Sequence, residues 1–83
     1  MVSDAEFRKI CWRSRRGMLE LDVVLIPFSE DGFRQLSEED QRSYVKLLDR
    51  DDPELLQWLS RQAVPADAEL ARVVELILAR VPR

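Results

Sequence analysis

The sequence contains no histidine, the side chain most often used as a general base and as a metal ligand. A serine or cysteine nucleophile would therefore have no histidine to activate it. The single cysteine, Cys11, excludes an internal disulfide, and one cysteine among scattered acids forms no recognisable zinc or iron site. We therefore expect no catalytic residue and no metal site in this chain.

Glycine and long apolar runs are also scarce. Two glycines, Gly17 and Gly32, are too few for a GxGxxG fingerprint or a phosphate loop, so stable cofactor binding is not expected. No apolar run approaches the roughly 18 residues of a membrane-spanning helix, and the residues before Gly17 lack the apolar centre of a signal peptide. With its lone cysteine, the chain is expected in the cytoplasm, without membrane insertion.

A chain of 83 residues, 46% hydrophobic and 35% charged, suits one folded domain spanning 1–83. We expect this domain to be a monomer when free. The net charge of −3 argues against a nucleic-acid binder, although the basic cluster from Arg8 to Arg16 keeps that alternative open. Acids dominate residues 30–54, so we expect a positive face opposite a negative one.

Apolar residues recur at helical spacing and predict an all-α fold, a small antiparallel bundle of about five helices. Ser3 and Glu6 have the spacing of a capping box and predict a first helix over 4–13. The run 23–26 resembles a strand by composition, but no second such run exists to pair with it, so we predict a second helix from Met18. Pro27 is expected to bend or interrupt this helix.

Capping residues mark the remaining helices. Ser37 predicts a third helix that stops near residue 49, and Asp52 followed by a proline predicts the start of a fourth. Pro65 is expected to end the fourth helix, and either Pro65 or Asp67 to begin the fifth. The fifth is expected to stop at 82–83, since Pro82 cannot continue a helix, and Arg80 and Arg83 suit its negative end.

The segment 15–22 combines the densest basic cluster with a glycine and two carboxylates. If residues 16–20 were helical, Arg16 and Glu20 would lie side by side as a surface ion pair, which carries no function. Arginine before glutamate is the weaker orientation of such a pair, however, and acids near a helix start are already stabilised by the helix dipole. The alternative is that the guanidinium groups of this segment are available to a partner.

Residues 16–20, Arg-Gly-Met-Leu-Glu, match the RGxxE signature, and the chain resembles the SdhE family of bacterial FAD assembly factors. Further similarities follow in the same order along nearly the whole chain. They are Trp12, Asp22, Pro27-Phe28, the run from Leu47 to Leu55, Trp58, and the run from Pro65 to Leu70. The resemblance also implies a small helical bundle.

The same resemblance implies binding to the flavoprotein subunit of succinate dehydrogenase, with that of fumarate reductase as a further client, and help in covalent attachment of FAD. FAD is then the cofactor of the client, and this chain is not an enzyme. Arg16 would bind a client carboxylate bidentately, Glu20 would accept a hydrogen bond, and Gly17 would allow close approach. The implied partner-binding residues are Arg15, Arg16, Gly17, Met18, Glu20 and Asp22. Possible extensions, which burial or capping explains equally well, are Trp12, Phe28, Asp51, Asp52 and Trp58.

One alternative function remains open. The family that the chain resembles has also been described as the antitoxin half of a toxin–antitoxin pair. An antitoxin, or an adaptor without a role in flavin attachment, would bind a partner and leave the client's flavin content unchanged.

Overall fold

The computed structural model describes residues 2–81, and it confirms the all-α prediction. Within these residues there are five α-helices, one short 3₁₀ helix and no strand. The helices are α1 (Asp4–Arg13), α2 (Leu19–Asp31), the 3₁₀ helix (Phe33–Gln35), α3 (Glu38–Leu48), α4 (Asp52–Leu59) and α5 (Ala68–Leu78). The expected stop of the fifth helix at 82–83 is wrong, because α5 already ends at Leu78 with Ala79 as its C-cap. Pro82 and Arg83 themselves lie outside the described residues.

Side-chain caps begin three of the helices as the sequence predicts. The amide of Glu6 donates to Ser3 Oγ at 3.1 Å, and the amide of Ser3 donates back to Glu6 Oε1 at 3.3 Å. Ser37 Oγ accepts from the third residue of α3 at 3.2 Å, and Asp67 Oδ1 accepts from Glu69 at 2.8 Å. Asp67 rather than Pro65 therefore starts α5.

The predicted start of α4 is wrong by one residue. Its N-cap is Asp51, whose amide donates to Glu54 Oε2 at 3.2 Å, and Asp52 is already the first helical residue. The two adjacent aspartates can each serve as a cap by sequence, but only Asp51 has Glu54 three residues later. Asp52 is thereby released for a different contact.

The predicted end of α4 is also wrong, because the helix stops at Leu59 and not at Pro65. Arg61 adopts a left-handed conformation with φ 62°. Its amide donates to the carbonyl of Trp58 at 3.2 Å, and the amide of Gln62 donates to that of Gln57 at 2.8 Å. These two bonds form a Schellman motif, which usually has glycine at the left-handed position and here has arginine.

Pro27 does not interrupt α2, which runs through it to Asp31. Proline lacks the amide proton that would bond the carbonyl of Val23, but a single lost bond is tolerated because Leu21, Leu25 and Phe28 are all buried. Gly32 is the C-cap of α2, and its amide donates to the carbonyl of Phe28 at 2.8 Å.

One hydrophobic core joins all five helices, and Tyr44 lies within it. Its side chain is fully buried on α3, with ring centroids 5.3 Å from Phe28 and 5.5 Å from Phe33. The buried apolar residues are Ile10, Leu21, Leu25, Phe28, Phe33, Tyr44, Leu47, Leu48, Leu55, Trp58, Leu59, Leu70, Val73, Val74 and Ile77. Phe28 and Trp58 are thus part of the core and not of the surface.

α1 lies antiparallel to α2 and the 3₁₀ helix. Asp4 pairs with Arg34, Phe7 packs against Phe33, and the Cys11 thiol lies 3.7 Å from the carbonyl of Ser29. Residues 14–18 form the α1–α2 linker, in which the amide of Arg16 contacts Asp22 in the first turns of α2. No helix between residues 2 and 81 has both the length and the apolar character needed to cross a bilayer.

Candidate functional site

The α1–α2 linker contains four of the eight residues in the segment 15–22, and it is anchored at its first residue. Ser14 is buried, and its Oγ donates to the carbonyl of Ile10 at 2.8 Å. The same Oγ lies 2.7 Å from the hydroxyl of Tyr44, which must be the donor because serine has one hydroxyl proton. Burial raises the pKa of Tyr44 to about 12, so this hydroxyl keeps its proton at neutral pH.

Arg16 is the second anchor, and its guanidinium faces into the protein. The side chain is 17% exposed, and its Nε donates to Asp52 Oδ1 at 2.8 Å. Nη1 donates to the carbonyls of Arg13 at 3.2 Å and Leu48 at 3.0 Å, and Nη2 donates to that of Arg50 at 3.0 Å. Arg13 and Leu48 are the last residues of α1 and α3, so one cation stabilises the negative ends of two helices.

These contacts differ from both sequence interpretations of Arg16. Four of its five N–H donors are used within the chain, which leaves no pair of donors for a bidentate contact with a partner carboxylate. The alternative ion pair with Glu20 does not form either, since Arg16 precedes the first residue of α2. Sequence spacing gave no signal for its true partner, Asp52, which lies 36 residues away.

Asp22 provides the third anchor. Its Oδ1 accepts a hydrogen bond from the backbone amide of Arg16 at 2.8 Å. Asp22 lies in the first turns of α2, where the helix dipole also favours its negative charge. Met18, the N-cap residue of α2, is half-buried and packs against the core. Of the predicted site residues, Arg16, Met18 and Asp22 therefore make contacts inside the protein.

Gly17 lies between these anchors in a left-handed conformation, with φ 82°. A Cβ added there would meet no atom within 4 Å, so backbone geometry and not crowding inside the chain requires the glycine. Gly17 does not end the first helix, because α1 ends at Arg13 with Ser14 as its cap. Gly17 instead turns the linker towards α2 and presents open backbone to solvent.

Arg15 and Glu20 are the two predicted site residues whose charged groups point outward. Both are exposed, and neither side chain has a hydrogen bond or ion pair with another residue of the described part. Arg15 follows the anchored Ser14, and Glu20 lies in the first turn of α2. Their charges are therefore available to a second molecule.

Exposed apolar side chains flank these charges along the sequence. Trp12, Leu19 and Val23 are 74%, 73% and 60% exposed. Leu19 and Val23, which sequence reasoning missed, lie four residues apart on the side of α2 that the buried stripe of Leu21, Leu25 and Phe28 leaves free. Because they lie off that stripe, their exposure could have been predicted from the sequence. We use the name linker surface for six exposed residues between positions 12 and 23: Trp12, Arg15, Gly17, Leu19, Glu20 and Val23.

The predicted separation of a positive from a negative face is only partly found. Arg8 and Lys9 are exposed on α1 without a partner among the described residues, as predicted. Arg13 and Arg16, however, pair with Asp49 and Asp52 of the acidic segment. The fold thus brings parts of the two charged segments together beside the linker.

The acids after α3 serve as caps and ion-pair partners. Asp51 caps α4, Asp52 binds Arg16, and Glu54 binds Arg50 at 2.9 Å. Within residues 2–81 there is no group of three or more cysteines and acids positioned to hold a metal ion. The described residues therefore offer an anchored turn with exposed charges, a geometry suited to contact with another protein.

Comparisons with known proteins show the family and the fold. The family described as flavinator of succinate dehydrogenase, Sdh5, matches residues 8–81. The FAD assembly factor SdhE of Pseudomonas aeruginosa is 43% identical over 81 residues, covering 98% of this chain and 96% of the relative. That of Pectobacterium atrosepticum is 44% identical over 72 residues, covering 87% and 82%. The solution structure of a UPF0350 protein is similar with a TM-score of 0.78 and 42% identity, covering 95% of this chain and 84% of that one.

Proposed function

Because the chain belongs to the Sdh5 family of succinate dehydrogenase flavinators, we propose that it binds the flavoprotein subunit of succinate dehydrogenase and promotes covalent attachment of FAD to it. The observation that carries this proposal is 43% identity to an FAD assembly factor over 98% of the chain. The flavoprotein subunit of fumarate reductase is a second client of the same kind. The site of action is the cytoplasm, and the free chain is a monomer.

The chain promotes the reaction without a reacting group of its own. It has no histidine to accept the flavin or to transfer a proton. Tyr44 is buried with a raised pKa, and the half-buried thiol of Cys11 faces the carbonyl of Ser29. The contribution is positioning: the bound chain favours a client conformation in which the client's own acceptor side chain and the flavin ring are aligned. Alignment alone can lower a barrier by several kcal/mol, roughly 7–11 at its limit.

The linker surface is the docking site in this proposal. Arg15 contacts an acidic group of the client, and Glu20 accepts from an arginine or an amide. Gly17 allows the client backbone to approach, while Trp12, Leu19 and Val23 bury apolar area around these charges. Arg16, Met18 and Asp22 do not contact the client in this proposal. They hold the turn in its shape through contacts inside the protein.

Measurement of covalent flavin tests this function directly. Apo flavoprotein subunit is incubated with FAD, with and without the chain, and acid-stable flavin fluorescence is read on the denatured subunit. We expect the wild-type chain to raise covalent flavin and Glu20→Ala and Arg15→Ala each to lower that gain at least about tenfold, the effect of losing a well-placed interfacial charge. Glu30→Ala is the matched control, because Glu30 is also an exposed glutamate of α2 without a partner in the described residues.

Two outcomes would contradict the proposal in different ways. If a competent subunit gains no covalent flavin from the wild-type chain but still binds it, the chain is an adaptor or an antitoxin-like protein. If the wild type is active and the Glu20, Arg15 and Glu30 variants behave alike, the function stands and docking uses another surface.

A further inference from the structure

We propose that Asp52 is a positioning residue for docking, which acts through Arg16 to hold the α1–α2 linker in the shape that the client recognises. The effect on docking rests on the proposed function, whereas the effect of Asp52 on the linker rests on contacts within the chain. Asp52 lies on α4, outside the RGxxE motif, and it has no place on the linker surface.

The ion pair is partly shielded from water, which separates it from an ordinary surface pair. The side chains of Arg16 and Asp52 are 17% and 32% exposed, whereas the neighbouring pair Arg13–Asp49 is 39% and 68% exposed. Shielding raises the Coulombic attraction and also the cost of leaving either charge unpaired. Removal of the Asp52 charge therefore affects Arg16 more than removal of Asp49 affects Arg13.

The position of Asp52 also makes it a suitable counter-ion. As the first residue of α4 it lies at the positive end of that helix, which stabilises a carboxylate. The guanidinium it binds reaches the carbonyl ends of α1 and α3. One ion pair thus joins the ends of three helices at the point where the linker passes them.

The consequence for the linker follows from where Arg16 lies in it. Arg16 immediately precedes Gly17, whose left-handed backbone directs the chain into α2. Its side chain is fixed by Asp52 and three carbonyls, and its amide is fixed by Asp22. If the guanidinium is released, only Ser14 and Asp22 still hold the turn, and Arg15 and Glu20 lose their fixed separation. Ordering them again on binding then costs affinity.

The experiment compares Asp52→Asn with Asp49→Asn as the matched control, and it has one measurement without a client. Amide hydrogen exchange is followed by NMR for the linker and for Leu47 in the core. We expect Asp52→Asn to speed exchange of the Arg16 amide at least tenfold and to leave Leu47 unchanged. Asp49→Asn should change neither amide.

The second measurement is the affinity for the apo flavoprotein subunit. We expect about fivefold to tenfold weaker binding for Asp52→Asn, partial recovery for Asp52→Glu, and wild-type affinity for Asp49→Asn. In an Arg16→Lys background, where lysine lacks the planar fork that reaches all four acceptors, Asp52→Asn should have little further effect.

Each contrary result has a distinct meaning. An Asp52→Asn variant that melts earlier but keeps wild-type linker exchange and affinity would make Asp52 a purely structural residue. An equal loss of affinity in both backgrounds would mean that Asp52 contacts the client itself. If the wild-type chain does not bind the subunit, the proposed function fails, while the exchange measurement still decides whether Asp52 positions the linker.

Discussion

The linker surface and the contact between α3 and α5 use charged residues in opposite ways. Across α3 and α5, Asp40 accepts two hydrogen bonds from Arg72, at 2.9 and 3.1 Å, and Lys46 pairs with Asp67 and Glu69. On the linker surface, Arg15 and Glu20 have no such partners among the described residues. The same residue types are thus paired within the chain at the α3–α5 contact and unpaired on the linker surface.

Apolar residues follow the same division. α3 and α5 pack against each other, and their apolar stripes, which include Tyr44, Leu47, Val73 and Ile77, are buried in the core. The first turns of α2 instead expose Leu19 and Val23 beside unpaired charges. Buried apolar area stabilises the α3–α5 side more than its exposed ion pairs do, whereas the exposed apolar and charged groups at the start of α2 are free to serve binding. Substitutions on the two sides should therefore separate stability from docking.

The largest effect is expected where the two regions meet, at Tyr44. Its ring packs between Phe28 and Phe33, and its hydroxyl holds Ser14 at the start of the linker. Tyr44→Ala should lower the free energy of unfolding by about 3–5 kcal/mol, a large part of the stability of a domain this small. Docking should be lost with the fold, as chemical denaturation and a binding assay on the same sample would reveal.

Tyr44→Phe is the control for the ring. It keeps the aromatic packing and removes only the hydroxyl that donates to Ser14, so we expect a loss of about 1 kcal/mol and docking close to wild type. If Tyr44→Phe abolished docking while still fully folded, the linker would depend on this one hydrogen bond and not on three anchors.

The second effect in size is expected at Gly17, and it should fall on docking more than on folding. Gly17→Leu places a side chain in open space, so its folding cost comes from the left-handed backbone alone, about 1–2 kcal/mol. The new side chain would project from the linker surface and should weaken docking at least tenfold. Thermal melts and binding measured side by side would separate the two effects.

Two control variants separate the effect of backbone strain on docking from the effect of the added side chain. Gly17→Asn tolerates the left-handed backbone better, so a docking loss that persists there would come from the side chain. Gly32→Ala adds a Cβ at the opposite end of α2, 2.9 Å from Arg80 Nε and 3.0 Å from the buried ring of Phe28, and should lower stability without changing docking. Normal docking by a folded Gly17→Leu variant would contradict the linker surface as the docking site.

The division between the two regions also marks what sequence reasoning can predict. Helices were predicted where the signal is local: the capping box of Ser3 and Glu6, the cap at Ser37 and the apolar stripe of α3 are all confirmed. The errors at α4 have local causes too. Either of two adjacent aspartates could cap the helix by sequence. The helix ends at Leu59, and the left-handed residue after its cap is Arg61, where glycine is the usual signal.

The contacts of the candidate site could not be predicted, because they join residues far apart in sequence. The RGxxE pattern identified Arg16, Gly17 and Glu20, but only the fold shows that the arginine faces inward, towards Asp52. The exposure of Leu19 and Val23 similarly depends on which side of α2 the bundle covers. That the segment docks onto a client stays a prediction.

The smallest effect is expected on the paired side, at Asp40, and it should depend on pH. Hydrogen bonds from Arg72 hold the pKa of the Asp40 carboxyl below its usual range, against the opposing effect of burial. A carboxyl whose pKa is lower in the folded than in the unfolded chain stabilises the fold at pH values above its unfolded pKa, which is about 3.9. That stabilisation is lost as the pH falls through the lower, folded value.

Asp40→Asn should therefore melt below wild type at pH 7, by roughly 5 °C, and the difference should shrink once the pH falls below about 4. Only a modest shift is expected because Arg72 is 65% exposed and its attraction is screened by solvent. Other acids, among them Glu54 and Asp67, also have lowered pKa values, so wild type and variant must be compared at each pH. A difference in melting temperature that stays constant from pH 7 to pH 3 would exclude the charge of Asp40 as its cause. Docking at pH 7 should be unchanged, since the α3–α5 contact has no part in the linker surface.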